Sequence, residues 1–168
     1  MEQLSIAFNT SGMTAAAAAL IPTVFGPAAS GAVFTRPEVV DFILDLIGYA
    51  PELPLYDKRL LEPSFGGGAF LLPAIRRLFK SWRRNHCKEP TPSDLKGSIC
   101  AVELHSGTYE NTRRKIVRVL ENEGIRPGES DNLAAQWLVR GDFLLTSIDC
   151  GFDFVAGNPP YIRQEAVP

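Results

Sequence analysis

Apolar residues recur at helical spacing in three parts of the chain, and short apolar runs lie between them. Pro37 and Glu38 suit the first turn of a helix, and the apolar residues after them recur every three or four positions. This spacing predicts helices over 37–48, 69–84 and 107–124. Short apolar runs predict strands at 60–62, 99–104, 137–139 and 152–156. Pro90 and Pro92 predict a loop over 85–97.

The alternation of strands and helices predicts an α/β fold built on a parallel sheet. Ligands of such sheets bind just beyond the carboxyl ends of the strands. A polar residue stands at the exit of each predicted strand, and these residues are Glu62, Glu103, Asp142 and Asn158. Because the four exits lie at the same edge of the sheet, this pattern predicts a shared binding site more strongly than any single motif.

Composition and charge are those of a globular domain. Of 168 residues, 45% are hydrophobic and 21% are charged, and the formal net charge is −2, which argues against a nucleic-acid-binding polycation. Basic residues are concentrated in 76–126, where twelve Lys and Arg stand against six Asp and Glu. This stretch is interpreted either as a phosphate-contacting surface or as the solvated end of a helix, and the second interpretation is preferred.

The cysteines and the N-terminal segment suggest where the protein acts. Cys87, Cys100 and Cys150 are odd in number and lack C-x-x-C spacing, which argues against a disulfide framework and a zinc site. The Ala-rich run at 15–20 follows no basic residue and stops at Pro22. It therefore meets the requirements of neither a signal peptide nor a membrane span. A cytoplasmic protein without a metal site is expected.

The most specific functional signal is the tetrapeptide Asn158-Pro159-Pro160-Tyr161, which follows the last predicted strand. Each proline lacks an N–H and holds φ near about −65°, so neither a helix nor a central strand continues through it. Asn158 is extended because a proline follows it. The resulting stiff turn presents an amide, backbone carbonyls and an aromatic ring, which together suit the binding of a planar amine.

Three further features predict a nucleoside pocket without a phosphate site. Gly66-Gly67-Gly68 lets the backbone approach a ligand, although a plain tight turn is the alternative, and it matches neither a P-loop nor G-x-G-x-x-G. Glu103 is placed to accept hydrogen bonds from two ribose hydroxyls, or it is an exposed strand-end carboxylate. Asp142 accepts a hydrogen bond from an adenine amino group, or it caps a turn.

The glycine loop, Glu103, Asp142 and the tetrapeptide follow one another along the chain. Motifs in this order resemble those of N6-adenine DNA methyltransferases, in the class whose cofactor motifs precede the catalytic Asn-Pro-Pro-Tyr. The resemblance covers 31–165, so the chain divides into an N-terminal extension, 1–30, and the N-terminal half of a catalytic domain, 31–168. The segments that carry it are Phe34 to Glu38, Leu61 to Leu71, Glu103, Gly141 to Leu144 and Asn158 to Tyr161. The family's usual Thr-Pro pair stands here as Thr35-Arg36-Pro37.

The resemblance implies a Rossmann-like fold of the S-adenosylmethionine-dependent methyltransferases, with the first four parallel strands, flanking helices and an incomplete sheet. The residues implied to bind S-adenosylmethionine are Thr35, Glu62, Pro63, Gly66, Gly68, Glu103, Asp142 and Phe143. The residues implied to act in catalysis are Asn158, Pro159, Pro160 and Tyr161. In this scheme Asn158 Oδ1 and the Pro159 carbonyl each accept one N6–H of adenine, and Tyr161 stacks on the base.

The implied substrate is adenine in double-stranded DNA, flipped out of the helix, and a restriction endonuclease activity is implied in the same system. Because the family needs further strands and a recognition region, the chain is expected to be a fragment that is inactive alone. The alternatives are methylation of a release-factor glutamine or of a ribosomal RNA guanine, and a non-catalytic cofactor-fold or interaction module. A further alternative is that Asn-Pro-x-Tyr is a linear peptide motif recognised by phosphotyrosine-binding adaptors. This alternative is disfavoured, because such motifs lie in disordered tails, whereas this one follows the last strand of an α/β pattern.

Overall fold

The computed structural model describes residues 35–148 and 151–158. The predicted N-terminal extension, Cys150 and the last three residues of the tetrapeptide, Pro159, Pro160 and Tyr161, lie outside the described residues. Within the described residues the helices are α1 (Pro37–Leu46), α2 (Leu71–Asn85), α3 (Pro92–Leu95), α4 (Ser106–Asn122) and α5 (Glu129–Trp137), with a 3-10 turn at Leu55–Asp57. The strands are β1 (Leu60–Glu62), β2 (Ile99–Glu103), β3 (Leu138–Arg140) and β4 (Phe154–Val155).

The four strands form one parallel sheet in the order β3-β2-β1-β4. From β1 the chain moves outward through β2 to β3, and it then returns to place β4 on the other side of β1. The gap between β1 and β4 is therefore a topological switch point, where ligands bind in open parallel sheets. The predicted α/β fold of the Rossmann-like methyltransferase kind, with parallel strands and flanking helices, is confirmed.

β4 is an edge strand among the described residues, as the sequence predicted. It pairs with β1 alone, and the side chain of Val155 is 57% exposed. Asp153 anchors its start, because this carboxylate accepts hydrogen bonds from Arg59 N at 2.9 Å and from Lys58 Nζ at 3.2 Å. These two contacts, led by the backbone bond from Arg59, lower the pKa of Asp153.

Two helices were not predicted. α3 lies within the segment predicted as a loop, and its signature was readable: Thr91 precedes Pro92, and the Asp94 carboxylate accepts a hydrogen bond from Thr91 N at 2.8 Å. α5 was missed because polar residues interrupt its apolar positions. Trp137, predicted to begin the third strand, is instead the last residue of α5.

Helices cover the sheet with a continuous apolar core. α4 packs against α5, and both contact β2 and β3, while α1 packs against α2. α2 supplies the core residues Leu71, Ala74, Ile75, Leu78 and Phe79. Trp137 is fully buried, and its Nε1 donates to the Leu95 carbonyl at 3.0 Å, which joins α5 to α3. No helix in the described parts of the chain is both long enough and apolar enough to cross a bilayer.

Much of the predicted basic stretch is committed to ion pairs that hold the helices together. Arg83 pairs with Glu89 and Glu123, and other pairs join Arg84 to Glu52 and Arg113 to Asp131. These acids neutralise part of the positive charge that a phosphate-contacting surface would present. The contacts agree with the preferred interpretation, in which this stretch is a solvated helix surface.

Arg77 fixes α1 against α2. Its Nη1 donates to Asp45 Oδ1 at 2.6 Å and to the Tyr49 carbonyl at 3.1 Å. Its Nη2 donates to Asp41 Oδ1 at 2.9 Å and to the Asp41 carbonyl at 3.1 Å. The planar guanidinium thus satisfies acceptors on one whole side of α1, and its side chain is only 13% exposed.

We expect Arg77→Lys to lower the free energy of unfolding by about 1–2 kcal/mol, because one ammonium cannot reproduce the forked contacts. Urea unfolding measures the effect. Arg76→Lys is the matched control, since Arg76 is the exposed neighbour on the same helix, and its change should stay within about 0.5 kcal/mol. Equal stabilities for the two variants would contradict the assigned role.

Candidate active site

The exits of β1 and β4 contact each other at the switch point. Glu62 ends β1, and Gly157 follows β4 closely. A Cβ placed on Gly157 would lie 3.4 Å from Glu62 Cγ and 3.5 Å from Pro63 Cδ. The chain leading to Asn158 therefore runs directly over the end of β1. This packing brings Asn158, the first residue of the tetrapeptide, towards two residues predicted to bind the cofactor.

Glu103, at the end of β2, is buried, and both of its carboxylate oxygens accept backbone hydrogen bonds. Oε2 accepts from Gly66 N at 2.9 Å, and Oε1 accepts from His105 N at 2.8 Å. The side chain thereby ties the glycine loop to the start of α4. Backbone N–H donors favour the ionised form of a carboxyl group, and each oxygen keeps a lone pair for a further donor. The alternative of an exposed strand-end carboxylate does not hold, because the residue is only 4% exposed.

Glu62, unlike Glu103, has a carboxyl oxygen without a hydrogen-bond partner in the described parts of the chain. It is 2% exposed, and its Oε2 is buried without a hydrogen-bond partner among the described residues. Glu62 is paired with Ala101, and Glu103 lies two residues further along β2, so both side chains project from the same face of the sheet. Burial, and secondly the charge of Glu103, raise the pKa of Glu62 well above its usual range. The site therefore contains one buried carboxyl oxygen, Glu62 Oε2, without a hydrogen-bond partner among the described residues.

The raised pKa makes stability depend on pH. In the unfolded chain Glu62 loses its proton near about pH 4.3, whereas in the folded protein it keeps the proton to higher pH. The folded state then binds more protons, so the free energy of unfolding falls as pH rises from the unfolded pKa towards the folded one. We expect the unliganded Glu62→Gln variant to lack this fall and to be more stable than the wild type at about pH 8.

Urea unfolding between about pH 4.5 and pH 8 checks this prediction. Glu110→Gln is the control, because it makes the same chemical change at an exposed position on α4. A wild-type stability curve that stays parallel to that of Glu62→Gln over the whole range would show that the Glu62 carboxyl does not carry the pH dependence.

The glycine loop connects β1 to α2 and is held by α4. Thr112 Oγ1 donates to the Gly66 carbonyl at 2.7 Å, and Lys115 Nζ donates to the Gly67 carbonyl at 3.1 Å. Gly66 and Gly68 have φ of 48° and 84°, which favours glycine. Gly67 is exposed, and a Cβ placed on it would have no atom within 4 Å. The loop is thus fixed by its neighbours on one side and open to a ligand on the other.

Phe65, which begins this loop, is a core residue. Its side chain is 2% exposed, and its ring centroid lies 5.9 Å from that of Tyr109. Phe65 therefore serves packing, whereas Phe143, which the resemblance implies as a cofactor contact, is half-buried.

We expect Gly68→Ala to lower the free energy of unfolding by about 1–3 kcal/mol, because an alanine is strained at its positive φ. The new Cβ would also lie 3.0 Å from Thr112 Cγ2 and 3.2 Å from Leu72 Cγ. Gly67→Ala is the matched control in the same loop and should leave stability within about 0.5 kcal/mol. Thermal or urea unfolding compares the two; equal losses would contradict the loop geometry.

Asp142 and Phe143 form a turn beyond β3. Asp142 Oδ1 accepts from Leu144 N at 2.9 Å, so this carboxylate caps its own turn, as the alternative reading of the sequence expected. Gly141 N donates to the Glu103 carbonyl at 3.0 Å, which brings the turn beside the exit of β2. Leu144 and Leu145 are 86% and 83% exposed.

Asn158 and Thr35 meet although they stand at opposite ends of the described residues. Asn158 Nδ2 donates to Thr35 Oγ1 at 3.1 Å, and both side chains are half-buried. Thr35 lies two residues before Pro37, the first residue of α1, so this bond links the exit of β4 to the segment that enters that helix. The structure thus groups the exits of β1, β2 and β4, and it places the β3 turn beside β2.

The sequence did not single out Thr112, Lys115 and His105, which contact the loop or Glu103. They lie on or just before α4, where nothing in their spacing reports a partner in a distant loop. The nearest signal is the position of His105, two residues after the carboxylate that ends β2.

Comparison with known proteins agrees with this arrangement. The chain is 51% identical over 153 residues to the type II methyltransferase M.PaeR7I of Pseudomonas aeruginosa, which covers 91% of the chain and 27% of that protein. It is 44% identical over 143 residues to M.XhoI of Xanthomonas vasicola (84% of the chain, 26% of the relative), also a type II methyltransferase. The chain is a relative of type II methyltransferases.

A third type II methyltransferase, M.BstVI of Geobacillus stearothermophilus, is 42% identical over 142 residues, which is 82% of the chain and 25% of the relative. The chain therefore spans about a quarter of the length of the curated relatives that it matches. No protein-family model matches it.

Proposed function

We propose that this chain is the part of a longer DNA methyltransferase that binds S-adenosylmethionine and begins the catalytic motif, with N6 of adenine as the methylated atom. The observation that carries the proposal is the packing of Gly157, the residue before Asn158, on Glu62 at the switch point, with Glu103 on the same face of the sheet as Glu62. The type II methyltransferase relatives support the same reaction class. They do not favour the glutamine, ribosomal RNA or non-catalytic alternatives.

The residues present fit S-adenosylmethionine. The unpartnered Oε2 of Glu62 suits the ammonium group of a cationic ligand, which would supply both a donor and the missing charge. Glu103 keeps acceptor capacity for ribose hydroxyls after its two backbone bonds. Gly67 leaves space for close approach of a ligand. When bound, this cofactor supplies a methyl group on a positively charged sulfur.

The remaining cofactor contacts follow from the resemblance. Pro63, Gly66 and Gly68 shape the loop beside Glu62, and Gly66 also anchors Glu103. Asp142 Oδ1 is used within its turn, so its second carboxylate oxygen is the atom proposed to accept from the adenine amino group. Half-buried Phe143 is proposed to contact the adenine ring.

In the proposed mechanism, the chain's own groups orient the amine to be methylated. Asn158 Oδ1 and the Pro159 carbonyl each accept one N6–H, which directs the nitrogen lone pair away from the ring plane. Pro160 keeps this turn rigid, and Tyr161 stacks on the base. The rate gain comes from orientation and from fixed dipoles, which match the positive charge that develops on nitrogen.

DNA is the proposed substrate, and adenine must leave the duplex to reach Asn158. The proposal assigns sequence recognition to other parts of a longer protein and pairs the methyltransferase with a restriction endonuclease activity in the same system.

Asn158→Ala in the complete protein tests the proposal. We expect methyl transfer to fall by a factor of about 100–1,000, because one fixed acceptor is lost. Cofactor affinity should change by less than about threefold, because Glu62 and Glu103 remain. Turnover is measured by mass spectrometry of nucleosides from methylated DNA, and affinity by calorimetry. Asn132→Ala is the control, since Asn132 is exposed on α5.

Normal turnover of Asn158→Ala would refute the catalytic assignment. Wild-type protein that binds no S-adenosylmethionine would refute the proposed function as a whole. Methylated cytosine in place of N6-methyladenine would refute the choice of target atom while leaving the cofactor site intact.

A further inference from the structure

The two ends of an asparagine amide are chemically opposite, and only one of them serves the proposed reaction. Oδ1 accepts hydrogen bonds and Nδ2 donates them. An amine that offers two N–H groups needs Oδ1 of Asn158, whereas Nδ2 in the same place would repel it. The rotation of this amide therefore decides whether Asn158 can act.

The structure provides a partner for the other end of the amide. Asn158 Nδ2 donates to Thr35 Oγ1 at 3.1 Å, which leaves Oδ1 available for an incoming donor. Without an acceptor at this place, the productive rotation would leave a half-buried N–H unsatisfied. The hydroxyl contributes its lone pair and remains able to donate its own hydrogen elsewhere.

Thr35 is placed by the helix that follows it. Arg36 is extended, with φ −63° and ψ 144°, and Pro37 begins α1, so the residue between Thr35 and the helix is conformationally restricted. The helix is in turn fixed to α2 by the four hydrogen bonds of Arg77. The acceptor for Nδ2 thus stands two residues before a well-anchored helix.

We propose that Thr35 is a positioning residue, which holds the Asn158 amide so that Oδ1 faces the amine to be methylated. This inference rests on the proposed function and adds a role that differs from the cofactor contact implied for Thr35 by the family resemblance. In the family's usual Thr-Pro pair, the threonine stands directly before the proline. Here Arg36 intervenes, so Thr35 stands one residue further from α1, where it contacts Asn158 at the exit of β4.

Thr35→Val and Thr35→Ser separate the hydroxyl from the shape of the side chain. Valine keeps the branched shape and removes the acceptor, so we expect kcat in the complete protein to fall about 10–100-fold. Serine keeps the hydroxyl and should retain kcat within about threefold. The dissociation constant for S-adenosylmethionine, measured by calorimetry, should stay within about threefold for both variants. If Thr35 acted only through packing of its methyl group, Thr35→Ser would not retain kcat, because serine lacks that methyl group.

The outcomes distinguish this inference from its rivals. Equal kcat for Thr35→Val and wild type would overturn it, and so would weakened cofactor binding with kcat unchanged at saturating cofactor. Thermal unfolding checks that the valine variant folds; if it does not, Thr35→Ala, which also lacks the acceptor, replaces it.

Thr35→Val on the Asn158→Ala background should cause no further loss of kcat, and an additive loss would also overturn the inference. Failure of the proposed function is seen separately, in wild-type protein that forms no N6-methyladenine.

Discussion

Parallel pairing of β1 with a neighbour on each side is the constraint on which the site depends. β1 has three residues, yet it bonds to β2 along one edge and to β4 along the other. Because β1 is central, strand exits that are distant in sequence lie close together, and Glu62 is buried between them. Gly157 completes the arrangement, because it places the β4 exit within contact distance of Glu62 and Pro63.

The two acids at this point have different electrostatic situations although they share one face of the sheet. Glu103 accepts hydrogen bonds from two backbone N–H groups, those of Gly66 and His105. Glu62 lies buried beside Glu103 with its Oε2 unpartnered among the described residues, and its raised pKa favours the neutral form. A bound cation that donates a hydrogen bond would stabilise the ionised form instead, which is why the cofactor contact is proposed at this carboxyl group.

Local patterns predicted much of this fold, and they failed where tertiary contacts decide. Strands and exit acids were readable because apolar runs, glycines and prolines act within a few residues. α5 was not readable, since polar residues break its apolar stripe, and Trp137 was assigned to the following strand although it packs from the helix. The bond between Thr35 and Asn158 could not be foreseen, because spacing along the chain does not report a distance between its ends. Pro159 to Tyr161 remain predictions from the motif.

The shortness of β4 has a consequence for the order in which the site comes apart. Glu103, the glycine loop and α4 belong to one well-packed unit, whereas Asn158 is attached through a two-residue strand, the Asp153 anchor and the bond to Thr35. Local opening of this short strand would therefore release Asn158 without unfolding the unit that holds Glu103. Fraying there would separate the amide from the acids. The amide and the acids are thus held at two different levels of local stability.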